Sequence, residues 1–222
     1  MQNFDTPAAI VTLLAVPAGR IRLVAAERAD TTVEILPADA SKSRDVKTAE
    51  QTEVTYADGV LRIEVPKPKS GSVFGNTGSI EVTVQLPAGS RVEAEAAAAE
   101  LRAVGRLGDV AFQGAHRQIK IDQAASLNVT ATDGDIEVGR LTGSAEITTA
   151  RGDIRIAEAT GGTLALTTQK GDITVGAATG VSAVLDADTA YGRVTNSLKS
   201  DGTPGLSIRA TTAYGDIAAR TL

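Results

Sequence analysis

Three Gly-Asp dipeptides, at Gly134-Asp135, Gly152-Asp153 and Gly171-Asp172, recur in sequence that otherwise alternates apolar and polar residues. If successive units stack, the carboxylates fall in one row, and aligned carboxylates could collect a hard cation such as calcium. The stronger reading is structural. Asp in a tight turn accepts backbone N–H bonds, the glycine-rich calcium-binding repeat is absent, and Arg193 breaks the row. No metal ligand is assigned. Glu137 and Asp153 are the kind of acids a polysaccharide-active enzyme would need. Glu137 is better explained by Arg155 opposite it on the next unit, and a chain with three Phe, three Tyr and no Trp has no aromatic platform to spare for a sugar. His116 is the only histidine and cysteine is absent, so no nucleophilic or zinc constellation can be assembled. No catalytic or cofactor-binding residue is assigned.

The column one residue before each turn glycine reads Asp133, Arg151, Lys170, Tyr191, Tyr214. Neighbouring units would there bring together opposite charges and then two rings, a modest stabilisation of about 0 to 1 kcal/mol per exposed ion pair. The two tyrosines could also begin a contact face. Thr130, Thr148, Thr167 and Thr211 form a further column, read as a hydroxyl ladder in preference to a surface-binding plane. The candidate interaction residues are Phe74, in a glycine-rich loop, with Tyr191, Tyr214, Ile217 and Leu222 near the carboxy terminus.

The elements that would position these residues follow from the repeat itself. Counted from Gly134, Gly152, Gly171, Gly192 and Gly215, the residue seven earlier is Leu127, Ala145, Leu164, Leu185 or Ile208, and the residue two later is Ile136, Ile154, Ile173, Val194 or Ile217. Positions between these columns are polar or variable. The register runs backward as well, Val110 and Phe112 preceding Leu127 and Val129, and Leu101 and Ala103 preceding Ile119 and Ile121. Gly108-Asp109 falls in the other turn's column and is not counted. A unit of about 20 residues with two short strands cannot bury its own apolar face, whereas stacked units bury a continuous column. The pattern predicts an all-β fold, a parallel β-helix or solenoid of about six rungs, right-handed by the rule of connection chirality, with a sandwich of hairpins as the rival.

Residues 1–78 are more irregular and read as a strand-rich capping region, with 79–222 as the solenoid. Strands are predicted at Ile10 to Leu14, at Arg20 to Val24 after a turn at Pro17-Ala18-Gly19, and at Thr32 to Leu36. A short helix is predicted within residues 41–53, capped by Ser41 or Ser43 and presenting Val46 and Ala49. Asp58-Gly59 between alternating runs predicts a hairpin. Apolar content of 42%, charged content of 22% and a net charge of −5 from interspersed residues describe a soluble chain without a nucleic-acid footprint. The apolar run around Ile10 to Val16 is too short, and too soon broken by Pro17, for a signal or a membrane span. The expected location is the cytoplasm, without membrane insertion.

The run from Asp45 to Pro68, the run from Gly78 to Asp109 and the repeats of the TATDGDIEV type together resemble the bacterial β-strand-repeat proteins of unknown function called putative adhesins, in their actinobacterial, signal-less form. The resemblance spans nearly the whole chain. It implies a β-helical fold and brings no catalytic residues. The expected function is a non-catalytic scaffold or protein-interaction module that binds a protein partner or itself, end to end, through an uncapped last rung formed by residues 206–222. A cell-surface adhesin is the alternative, and a polysaccharide-active β-helix enzyme the weaker one.

Overall fold

The computed structural model describes residues 1–66, 78–114 and 117–222. Phe74 and His116 lie outside them. Alternation of apolar and polar residues produces nineteen strands among the described residues. The first five are β1 (Gln2–Asp5), β2 (Val11–Ala26), β3 (Asp30–Pro37), β4 (Glu53–Ala57) and β5 (Val60–Glu64). One helix, α1 (Ser43–Gln51), stands between β3 and β4. There follow β6 (Ile80–Pro87), β7 (Arg91–Arg106), β8 (Asp109–Gly114), β9 (Ile119–Ala124), β10 (Ser126–Asp133), β11 (Ile136–Leu141), β12 (Ala145–Arg151) and β13 (Ile154–Ala159). The last six are β14 (Gly162–Lys170), β15 (Ile173–Ala177), β16 (Ala183–Tyr191), β17 (Val194–Ser197), β18 (Leu206–Tyr214) and β19 (Ile217–Thr221).

The fold is an all-β parallel solenoid. Each rung contributes a strand to one wall, a turn, and a strand to a second wall; β2 and β7 each run through both walls as a single strand. The predicted turn at Pro17-Ala18-Gly19 is therefore a corner inside β2, and Gly19 passes so close to Ile80 that a Cβ on it would lie 1.8 Å from the Ile80 carbonyl oxygen. The apolar columns fall into register. Ile136 lies beside Ile154, Ile154 beside Ile173, and Ile173 beside Ile217. All four are buried, each contributing about 1.5 to 3 kcal/mol of burial.

Strand order in space departs from strand order in the chain at both ends. From one end the rungs stack as β5/β6, β2, β7, β8/β9, β10/β11, β12/β13, β14/β15, β18/β19 and β16/β17. The first rung in sequence is thus second in the stack, and the last in sequence is second from the other end. Residues 206–222 are not the terminal rung. They fill a slot between β14/β15 and β16/β17, and the outermost rung is 183–197. The parallel stacking also crosses residue 78: β2 pairs with β7 from Val11↔Arg91 to Ala25↔Gly105, so residues 1–78 supply one whole rung of the solenoid, β2, and half of another, β5, as well as most of its cap.

That cap is antiparallel. β3 lies against β6, β1 against β3, and β4 against β5. The β4–β5 turn is the expected one, with Asp58 at φ 52° and Gly59 at φ 75°. Helix α1 packs on β3 and β6, but its inward face is polar. Buried Asp45 accepts the Ser79 amide at 3.0 Å, and Thr48 accepts the Gly78 amide at 3.0 Å, while Val46 and Ala49 are half-buried. Neither serine caps the helix. Lys42 occupies the cap position without a side-chain bond, because Ser41 is already bonded through its amide and hydroxyl to Asp39. Among the described residues no helix is long and apolar enough to cross a membrane.

Candidate functional site: the outer rung and its turn ladder

Each Gly-Asp corner is built from the requirement that rungs stay at strand spacing. Gly152 and Gly171 hold φ 132° and φ 151°, and a Cβ on Gly171 would sit 2.1 Å from the Gly152 carbonyl oxygen, so both the dihedral and the close approach select glycine. The aspartates then bond from rung to rung. The Asp153 amide donates to Asp135 Oδ1 at 2.9 Å, Asp172 to Asp153 at 2.8 Å, Asp216 to Asp172 at 2.7 Å, and Arg193 to Asp216 at 2.8 Å. These carboxylates carry the structural role preferred from the sequence. Arg193 does not interrupt their row, since its rung is outermost: it ends the row, and its side chain offers no acceptor to a further amide. Among the described residues no group of three or more His, Cys, Asp or Glu is placed to hold a metal ion.

A second threonine column went unnoticed in the sequence. Thr168, Thr212 and Thr189 donate to the carbonyls of Gly152, Gly171 and Gly215 at 3.0 to 3.1 Å. The pairs Thr148-Thr149, Thr167-Thr168 and Thr211-Thr212 were the available signal: the first of each faces outward and the second is buried, Thr168 and Thr212 bonding the corner-glycine carbonyl of the neighbouring rung and Thr149 the Arg151 carbonyl of its own strand.

The charge and ring column forms with its last two members exchanged, so that Tyr214 and not Tyr191 lies next to Lys170. Asp133 meets Arg151 at 2.9 Å, Lys170 is beside Tyr214, and Tyr214 stacks on Tyr191 with centroids 4.9 Å apart and planes 4° from parallel. Both rings are open to solvent, Tyr191 at 67% and Tyr214 at 56%. Ile217, in contrast, is 1% exposed between Ile173 and Val194 and offers no surface. Leu222 is half exposed and tied to the second wall, its amide donating to the Ala177 carbonyl at 2.9 Å. The residues that the open end does present were not singled out in the sequence: Val194, 43% exposed, and the partly covered Leu185, Ala187 and Leu198.

Lys120 Nζ lies 2.7 Å from Glu137 Oε2 and is the main reason this carboxyl sits below its ordinary range, with Arg155, the partner expected from the sequence, adding a smaller pull from the other side. A cleft of about 700 Å³ near the capped end is lined by Arg20, Asp39, Lys42, Arg44, Asp45 and Arg117, among others. There Ser41 and Lys42 hold Asp39 down at about 2. The carboxyls of Asp30 and Asp201 are lowered as well, by the Arg28 guanidinium and by Ser182 respectively.

The family model described as Toastrack DUF4097 matches residues 14–221. No curated protein matches the sequence. Among solved structures, a putative adhesin from Bacteroides fragilis is 16% identical with a TM-score of 0.55, over 98% of this chain and 95% of its own. A putative cell adhesion protein from Clostridium sporogenes is 16% identical with a TM-score of 0.39, over 100% and 98%. A putative lipid binding protein from Parabacteroides distasonis is 11% identical with a TM-score of 0.30, over 98% and 95%. At 16% identity the likeness to the Bacteroides fragilis structure is one of fold. The family match covers both walls, the displaced outer rung and most of the antiparallel cap, and on it the chain belongs to the Toastrack DUF4097 family.

Proposed function

We propose that this protein is a non-catalytic β-solenoid scaffold whose open end, the β16/β17 rung, is a protein-interaction site. One observation carries the reading: the apolar column that is sealed on every interior rung ends uncovered at Val194 and Leu185, beside an exposed tyrosine stack. Unpaired strand edges with apolar ends are the usual template for a partner. Self-association end to end, expected from the sequence through residues 206–222, would have to use residues 183–197 instead, and a second copy on that rung is one outcome of the test below.

Site-specific photocrosslinking in the native host tests this. A photoreactive residue at position 194 is expected to give protein adducts, and one at Thr130, on the outer face of a mid-stack strand, is expected to give none. Equal labelling from both positions, or none from 194, would remove the proposal. Adduct mass separates a second copy from a different partner. The cytoplasmic placement expected from the sequence is carried here as a proposal. The second reading is surface adhesion, the role named for the Bacteroides fragilis fold neighbour, and fractionation of the host separates the two.

A further inference from the structure

Resting on that reading of the open end, we propose that the β16 edge takes an extended peptide strand carrying Lys or Arg at two alternate positions and an aromatic residue or Arg three positions beyond them. The Ala183 amide donates to the Lys199 carbonyl at 3.0 Å, on the side away from β18. By strand alternation Leu185 and Ala187 turn their N–H and C=O groups the same way, toward the open edge. An added strand satisfies them, as in other cases of strand addition to a sheet edge.

The side chains along that edge set its chemistry. Asp186 and Asp188 project on the outer face, where with Arg209, Ala210 and Thr211 they line a shallow concavity. Asp186 reaches Arg209 at 3.3 Å on its inner side with both side chains largely exposed, and Asp188 lies beside Thr211. A strand laid alongside in register places its own side chains about 5 Å from these two carboxylates, so Lys or Arg two residues apart is the complement. Tyr191 follows three residues after Asp188. One face of its ring is covered by Tyr214, and the other receives an aromatic ring or a guanidinium.

The same residues disfavour a second copy. Two β16 edges meeting antiparallel about Ala187 would set Asp186 of one against Asp188 of the other, and like charges directly opposite are destabilising. A copy continuing the stack in parallel would reach a corner where Arg193 has no carboxylate for its amide. Head-to-tail docking would bring the acidic edge to β4 or β1, which present Glu53 and Asp5.

Fluorescence anisotropy with the full chain tests the proposal, using three labelled peptides: one with the stated basic and aromatic spacing, one with Glu replacing both basic residues, and one of the same composition with the basic residues three apart. The first is expected to bind, more weakly as salt rises, and the other two are not. In the D186N/D188N double variant binding falls about tenfold or more while the thermal midpoint stays within a few degrees of wild type. Equal binding of the shuffled peptide, unchanged binding by the double variant, or no binding at all overturns the inference. Photocrosslinked adducts at position 194 consisting of a second copy would overturn the basic strand as occupant while leaving the open end an interface, so the two readings fail separately.

Discussion

Exchange of rung order makes a quantitative claim about Ile217 and Val194. Both occupy one apolar column, yet Ile217 is 1% exposed with Ile173 on one side and Val194 on the other, whereas Val194 is 43% exposed with a neighbour on one side only. Backbone ladders hold the rungs on both sides of Ile217 at fixed spacing, so a cavity there cannot close by collapse, and Ile217→Ala is expected to cost about 3 to 5 kcal/mol. Val194→Ala removes two methyl carbons from a side chain a little over half buried, about 1 kcal/mol at the usual value per carbon. Ile173→Ala serves as the interior standard and is expected to match Ile217→Ala. Had the rungs stacked in chain order, residue 217 would lie outermost and the ranking would invert. Urea midpoints at unchanged m-value give the comparison. Hydrogen exchange supplies a local readout, with amides of Leu206–Tyr214 protected longer than those of Ala183–Tyr191. A Val194→Ala loss equal to or greater than that of Ile217→Ala would refute the strand order.

Three further perturbations address the corners and the ion pairs. Asp153→Ala removes the acceptor of the Asp172 amide and is expected to cost about 0.5 to 1.5 kcal/mol, whereas Asp153→Asn keeps an oxygen there and stays near wild type in the same urea assay; equal losses would contradict the ladder. Gly171→Ala forces a Cβ to 2.1 Å from a backbone oxygen at φ 151°, with an expected loss of about 1 to 3 kcal/mol or more, and a neutral urea midpoint would argue against the corner geometry. Lys120→Met removes the ammonium that lowers the Glu137 carboxyl, so the Glu137 titration followed by NMR should move up toward the ordinary glutamate range. A depressed folded pKa adds stability only while the carboxylate is ionised. The variant should therefore lose under about 1 kcal/mol at neutral pH, and the difference from wild type should vanish as pH falls through the folded pKa of Glu137; a difference that persists in acid would exclude this origin.

The two-strand unit and its columns were legible in the sequence because the rungs from β10/β11 through β14/β15, and β18/β19, repeat the same demand: an Ile after the corner, a glycine where backbones approach, and an Asp that accepts the next amide. Rung order was not legible from those columns. Leu164 can neighbour Leu185 or Ile208 with the same pattern satisfied, so apolar periodicity is unchanged when two rungs trade places. The departures from the pattern decide it. The column Val138, Ile156, Val175, Ala219 continues to Asn196, whose buried amide on an interior rung would cost about 1 to 3 kcal/mol unless paired. On the outermost rung Asn196 instead accepts the Leu198 amide at 3.0 Å. Arg193 replaces the ladder aspartate on the same rung, and Asp186 and Asp188 place charge on the strand that becomes the edge. Two exceptions to the repeat within residues 183–197, Asn196 and Arg193, thus select one rung for the boundary, and each is inexpensive there, whereas the outward Asp186 sits in a column that carries charge on interior rungs as well. Helix α1 follows the same logic in reverse, since Asp45 and Thr48 look misplaced on an inward face until the Ser79 and Gly78 amides they bond are in place. In a stacked fold the unit that breaks its own columns locates the end of the stack whatever its place in the chain, and the exposed groups that mark that end are also the ones a partner would meet.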